Sequence, residues 1–148
     1  MNVLQARALG VSLGGRAVVS GVDLDIEAGD LVGLVGPNGA GKTSLLRALA
    51  GLAPSTGTVS FDGHPLAALP PAARARRIAY LAQGGQVYWP LTVARLVALG
   101  RLPHLDAWTR PGPADAAAIA STMAACEVTQ LAARSVASLS GGERARAL

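Results

Sequence analysis

Cysteine, lysine, histidine and aromatic residues are all scarce in this chain of 148 residues. It has one cysteine, Cys126, so no disulfide can form within it. Set in an Ala-rich stretch of helical pattern, Cys126 reads as a small buried side chain. The two histidines, His64 and His104, are too few and too far apart to make a metal site. Aromatic residues make up 3% of the chain, so its core must be assembled from Ala, Leu and Val, each burying little area. No apolar run approaches the ~18 residues of a membrane span. Gln5 and Arg7 interrupt the N-terminal segment where a signal peptide needs an unbroken apolar stretch. These absences lead us to expect a cytosolic chain that meets a membrane only through a partner.

What is present suits a folded domain. About half of the residues are apolar, enough to drive burial, and the length suits one domain. The net charge of +4 comes from 12 Arg and one Lys against 9 acids. The arginines are scattered, with one small cluster at Arg74, Arg76 and Arg77. A nucleic-acid groove carries a denser basic stripe, so no nucleic-acid partner is expected.

Along the chain, residues 3–13 and 17–27 read as two strands joined by a turn at Gly14-Gly15. In the second, Val22, Leu24 and Ile26 alternate with Asp23, Asp25 and Glu27, the period of a half-buried antiparallel strand. Ala28-Gly29-Asp30 forms a turn, and Leu31 to Val35 reads as a buried central strand. A helix runs from Lys42 to about Ala50 and stops at Gly51. Thr58 to Phe61 is a short strand closed by a turn at Asp62-Gly63. Residues 72–77 suggest a short basic helix, and Ile78 to Leu81 another buried strand. Beyond the break at Gln83-Gly84-Gly85, residues 92–100, 113–126 and 141–148 read as helix. We therefore expect an α/β architecture: a β-rich core over residues 1–83 and a helical subdomain over 84–148.

Gly36-Pro37-Asn38-Gly39-Ala40-Gly41-Lys42-Thr43 fits G-x-x-x-x-G-K-[ST], the phosphate-binding P-loop. Glycines let several backbone N–H groups converge on one point. The helix that follows adds its positive N-terminal end. Lys42 reaches the β- and γ-phosphates, and the Thr43 hydroxyl is suited to Mg²⁺. Lys42 is also the only lysine in a chain that otherwise uses arginine, at a position that needs a compact ammonium rather than a planar fork.

Leu139-Ser140-Gly141-Gly142-Glu143 is a second motif of this kind. Ser140 is a good helix N-cap, and the two glycines expose backbone N–H groups at a helix start.

In order along the chain, Gly36–Ser44, Gln83 and Leu139–Glu143 resemble the Walker A motif, the Q-loop and the signature motif of ABC ATPases. The resemblance implies a P-loop NTPase core with an N-terminal antiparallel β part and an α-helical subdomain, incomplete at the C-terminus. It implies ATP and Mg²⁺ as ligands. Lys42, Thr43 and Ser44, with the loop from Gly36 to Gly41, would hold the phosphates and the metal. Gln83 would touch Mg²⁺ and the attacking water. Two subunits would pair head to tail, so that Ser140, Gly141 and Gly142 close on the γ-phosphate of ATP held by the partner. Transmembrane permease subunits would be the other partners, with the chain peripheral on the inner face of the cell membrane.

The chain departs from the family pattern in two places. The family's adenine-stacking aromatic residue appears as Leu13, beside Arg16, which could stack instead. The family's catalytic carboxylates and switch histidine lie beyond the signature, so the sequence is expected to be a fragment that does not turn over ATP by itself. Residues 87–105, with Tyr88, Trp89 and Pro90 and the run Thr92-Val93 to Leu99-Gly100-Arg101-Leu102-Pro103-His104, are similar to importers of iron–siderophore, haem and cobalamin compounds. Tyr88 and Trp89 are candidate anchors for the permease. Two other readings stay open: a nucleotide-binding remnant without catalysis, and an ABC-type ATPase that acts on DNA or ribosomes.

Overall fold

The computed structural model describes residues 2–84, 89–106 and 108–148. The expectations placed on Gly85 and on Tyr88 as an anchor lie outside those residues. The chain divides into two compact units, Met1–Tyr80 and Leu81–Leu148. Among the described residues no helix is long and apolar enough to cross a membrane.

The first unit is built on a four-stranded antiparallel sheet in the order β2-β1-β3-β4. Its strands are β1 (Asn2–Leu13), β2 (Arg16–Glu27), β3 (Thr56–Phe61) and β4 (His64–Pro65). Along the second half of β2, Val22, Leu24 and Ile26 are half-buried while Asp23, Asp25 and Glu27 are exposed, the alternation expected of a sheet with one wet face. β1 does not keep one phase. Leu4 and Ala6 face the core, and further along the strand Leu9 and Val11 do. A bulge absorbs the extra residue: Ala8 takes a left-handed φ of 48°, and its N–H donates to Asp23 Oδ1 at 2.7 Å.

Helix α1 (Lys42–Leu49) lies against this sheet. Its buried side chains Leu45, Ala48 and Leu49 recur at helical spacing and pack with Ala6, Leu9 and Val11 of β1. Gly51, at φ 67°, ends the helix. The Gly51 N–H donates to Ala48 O at 2.9 Å and the Leu52 N–H to Arg47 O at 2.7 Å, the paired bonds of a Schellman stop. A short helix α2 (Pro71–Ala75) follows, with proline in its first turn, where a missing N–H costs nothing.

Two expected strands do not form. Residues 31–35 and 78–81 have no strand structure. Leu31 and Val35 are more than nine-tenths exposed, and Leu81 is exposed too. A central strand draws its stability from ladder bonds to neighbours on its edges. None of the four strands of the sheet pairs with either segment, so apolar character alone does not organise them.

The second unit gathers α3 (Val93–Leu99), α4 (Pro113–Ala125) and α5 (Gly141–Ala147) around a core of Val93, Met123, Val128, Leu131, Val136, Leu139 and Ala147. Cys126 is half-buried and packs against this core. The Thr92 hydroxyl caps α3, accepting from the Arg95 N–H at 3.3 Å.

Asp115 sits in the first turn of α4 and is nearly buried. A carboxylate there faces the positive end of the helix. Its Oδ2 accepts from the Gly112 N–H at 2.9 Å and its Oδ1 from Arg101 Nε at 2.8 Å. The Gly112 N–H, and then the Arg101 guanidinium, hold the Asp115 carboxyl below the usual carboxylate range. A lowered pKa stabilises the fold at pH values above the unfolded-state value, and that stabilisation is lost as pH falls through the lowered one. Resistance to denaturant should therefore fall below roughly pH 4. Asp115→Asn should lower stability at neutral pH and flatten that acid limb. An unchanged acid limb in the variant would show that the carboxylate plays no such part.

Candidate nucleotide-binding site

The segment from Gly36 to Ala40 is exposed, turns over Asn38 to Gly41 and leads directly into α1. Gly39 and Gly41 have φ of 84° and 83°, a region that only glycine enters freely. Gly41 is doubly constrained. A Cβ there would lie 2.5 Å from Val18 O and 3.0 Å from Val19 Cγ2 of β2. The loop is thus pressed onto the sheet at the point where the helix starts.

Lys42 curls back over the loop. Its Nζ donates to Gly36 O and to Pro37 O, both at 2.7 Å. These bonds pin an ammonium above the turn. Among the loop amides from Asn38 to Gly41, only the Ala40 N–H has a hydrogen-bond partner within the described residues, Pro37 O at 3.3 Å. The first-turn N–H groups of any helix also lack intrahelical acceptors. The arrangement is one cation and several unengaged N–H donors around one turn, which suits a polyphosphate anion. Thr43 is exposed and Ser44 half-exposed in the first turn of α1. Hydroxyl oxygens of this kind are the hard ligands that a divalent cation such as Mg²⁺ would take. The strand expected before the loop is absent, yet the loop holds its curl through Lys42 and the contact with β2.

The second motif lies in the helical unit. Ser140 is the N-cap of α5: its hydroxyl accepts from the Glu143 N–H at 3.3 Å. Glu143 Oε2 accepts in return from the Ser140 N–H at 2.8 Å, which closes a capping box. Arg134 braces the turn, donating from Nη1 to Glu143 Oε1 at 3.2 Å and from Nη2 to Ser138 O at 3.0 Å. The Ser140 N–H and then its hydroxyl hold the Glu143 carboxyl below its ordinary value, with Arg134 adding to the effect. Sequence reasoning found the cap but missed the reciprocal half of the box and its Arg134 brace. The S-x-x-E spacing of Ser140 and Glu143 was the available signal. Gly141 and Gly142 are exposed, with open space where a Cβ would stand. Gln83 is exposed in a turn of the same unit.

Ser140→Ala should cost the helical unit about 1 kcal/mol through the lost cap. Denaturant unfolding and amide exchange along α5 would read this. Exchange as slow as in the parent chain would deny the cap its role.

A P-loop at the head of a helix, set on an antiparallel sheet, with a helical unit that carries a capped Ser-Gly-Gly turn, is the mixed α/β fold of P-loop ATPases of the ATP-binding-cassette type. Residues 19–148 match the family described as ABC transporter, and the chain belongs to that family. It is 48% identical to the hemin import ATP-binding protein HmuV of Nocardia farcinica, over 97% of this chain and 51% of that protein. It is 47% identical to the cobalamin import ATP-binding protein BtuD of Halobacterium salinarum, over 98% of this chain and 36% of that protein. The chain spans about half the length, or less, of these curated relatives. Among solved structures, a metal-chelate type ABC transporter in an inward-facing conformation superposes with a TM-score of 0.77 at 23% identity, over all of this chain and 55% of that one. A nucleotide-free ATP-binding cassette superposes with a TM-score of 0.80 at 20% identity, over 99% of this chain and 66% of that one. Likeness at these identities concerns the fold. Membership of the ABC ATPase family implies ATP binding.

Proposed function

We propose that the chain is the ATP-binding part of the energy-coupling subunit of an ABC importer that takes up haem, cobalamin or iron–siderophore compounds. The observation that carries the nucleotide reading is the Lys42 ammonium held over the turn by Gly36 O and Pro37 O beside unengaged N–H groups. On this reading the amides from Gly36 to Gly41 and the first turn of α1 bind the β- and γ-phosphates, and Lys42 turns from the loop carbonyls to the phosphate oxygens. Thr43, Ser44 and Gln83 are the residues suited to Mg²⁺. The metal, when bound, neutralises charge on the phosphate oxygens. The exposed Ser140-Gly141-Gly142 turn faces the nucleotide of a second subunit, paired head to tail. The import reading rests on the likeness to HmuV and BtuD. Trp89 is 72% exposed and suits a permease contact at the cytoplasmic face of the membrane.

Calorimetric titration of the chain with ATP, ADP and AMP tests the site. If phosphates carry the affinity, ATP should bind at least about 100-fold more tightly than AMP, since each charge-assisted hydrogen bond is worth about 1.5–3 kcal/mol. Equal affinities, or no ATP binding, would overturn the proposal.

A further inference from the structure

Next to the stop of helix α1, the first unit holds a cavity of about 300 Å³. Ala48, Val59 and Leu66 give it apolar walls, and its polar side chains are those of Ser55, Thr58 and Arg74. Arg74, half-buried in the last turn of α2, is the one ionisable group among the lining residues. Gly51 makes room for it. A Cβ on Gly51 would lie 3.1 Å from Arg74 Cδ and 3.2 Å from Arg74 Nη1. The glycine that stops α1 thus also seats the arginine side chain beside the cavity. A cation near a helix C-terminus is favourable by itself. Arg74, however, uses none of its donors there. Its guanidinium makes no hydrogen bond or ion pair among the described residues, and neither do the hydroxyls of Ser55 and Thr58.

We propose that this cavity binds a small organic carboxylate. The planar fork of Arg74 matches the two oxygens of a carboxylate, a pairing that a packed guanidinium makes with little further ordering. The Ser55 and Thr58 hydroxyls can each donate to the same group. The apolar body of the ligand then lies against Ala48, Val59 and Leu66. Mostly apolar walls with a few polar groups to fix orientation are the usual make-up of a small-molecule site. One cation on the wall balances one negative charge. A doubly charged phosphate would keep an uncompensated charge against apolar walls, which is costly. Ala48 belongs to the last turn of α1 and Lys42 to its first, so this site is distinct from the P-loop and stands without the nucleotide reading.

Titration of the ¹⁵N-labelled chain with isovalerate, without nucleotide and at constant ionic strength, tests the site by NMR. The Gly51 and Thr58 amide signals should shift and saturate with a Kd of about 1 mM or below. Isoamyl alcohol, which has the same carbon skeleton and no charge, should bind at least about tenfold more weakly. Inorganic phosphate should also bind more weakly than isovalerate. Arg74→Met keeps an apolar stem, removes the fork and should weaken isovalerate binding at least about tenfold. Arg74→Lys should fall between that variant and the parent, since it keeps the charge but loses the fork. Thr58→Val changes neither charge nor shape and should weaken binding about threefold, so the test does not depend on the folding of the Arg74 variants alone. Absence of a saturable shift overturns the proposal. So does alcohol or phosphate binding as tight as that of isovalerate, or an affinity unchanged in Arg74→Met, which would leave Arg74 as no more than a counter-charge for the end of α1.

Discussion

Lys42→Ala should weaken ATP binding by about 30- to 150-fold, the equivalent of about 2–3 kcal/mol for an ammonium that donates to phosphate oxygens. The reason is geometric. The loop holds this ammonium with two carbonyls at 2.7 Å each, so it is already close to where the phosphates would sit. Folding should suffer little, because both of those bonds are exposed to solvent. Lys42→Arg should not restore the affinity. A planar fork with fixed donor directions replaces a compact group whose donors rotate freely. Titration calorimetry of the three proteins, with circular dichroism to confirm their folds, reads the difference. If Lys42→Ala binds ATP as the parent does, the loop is an ordinary glycine turn and the proposed function loses its support.

Much of the site was legible because its chemistry is local. The P-loop is a run of adjacent residues, and its requirements are glycine for backbone freedom, one lysine, and a helix start. All of them can be read at fixed spacing. The Ser140 cap is local in the same way, since its acceptor role involves the N–H of a residue three positions on. The alternation in β2 was readable because one face of that strand is wet.

What escaped the sequence depends on partners distant in the chain. Leu31–Val35 and Ile78–Leu81 have the composition of buried strands, yet composition supplies no ladder, and both segments lie without one. The role of Asp115 cannot be read from its own segment, because it is fixed by Arg101, a full loop away. The phase shift in β1 was hidden for a similar reason, since the bulge at Ala8 is held by Asp23 across the sheet.

That bulge leads to the other large expected effect. Gly57 of β3 sits against it at φ 77°, and a Cβ there would fall on the carbonyl groups of Arg7 and Ala8. Two penalties add in Gly57→Ala. The left-handed conformation costs a non-glycine residue about 1–2 kcal/mol. The collision is with backbone oxygens, which no rotamer change can clear, and overpacking of that kind costs about 1–3 kcal/mol more. Gly63 offers the control. Its φ is nearly the same, 75°, but nothing lies within 4 Å of its Cβ position. Gly63→Ala should therefore show the conformational penalty alone, about 1–2 kcal/mol. Chemical denaturation of the two variants separates strain from collision, with Gly57→Ala expected to lose roughly twice as much stability as Gly63→Ala. Because Ala6 and Leu9 flank the bulge and pack in the same core as Leu45 and Leu49 of α1, the damage should spread to the helix that carries Lys42. ATP affinity should then fall in Gly57→Ala and stay near the parent value in Gly63→Ala. Equal losses in the two variants would mean that the sheet relaxes around the added methyl group, and that the bulge is not what fixes the helix on the sheet.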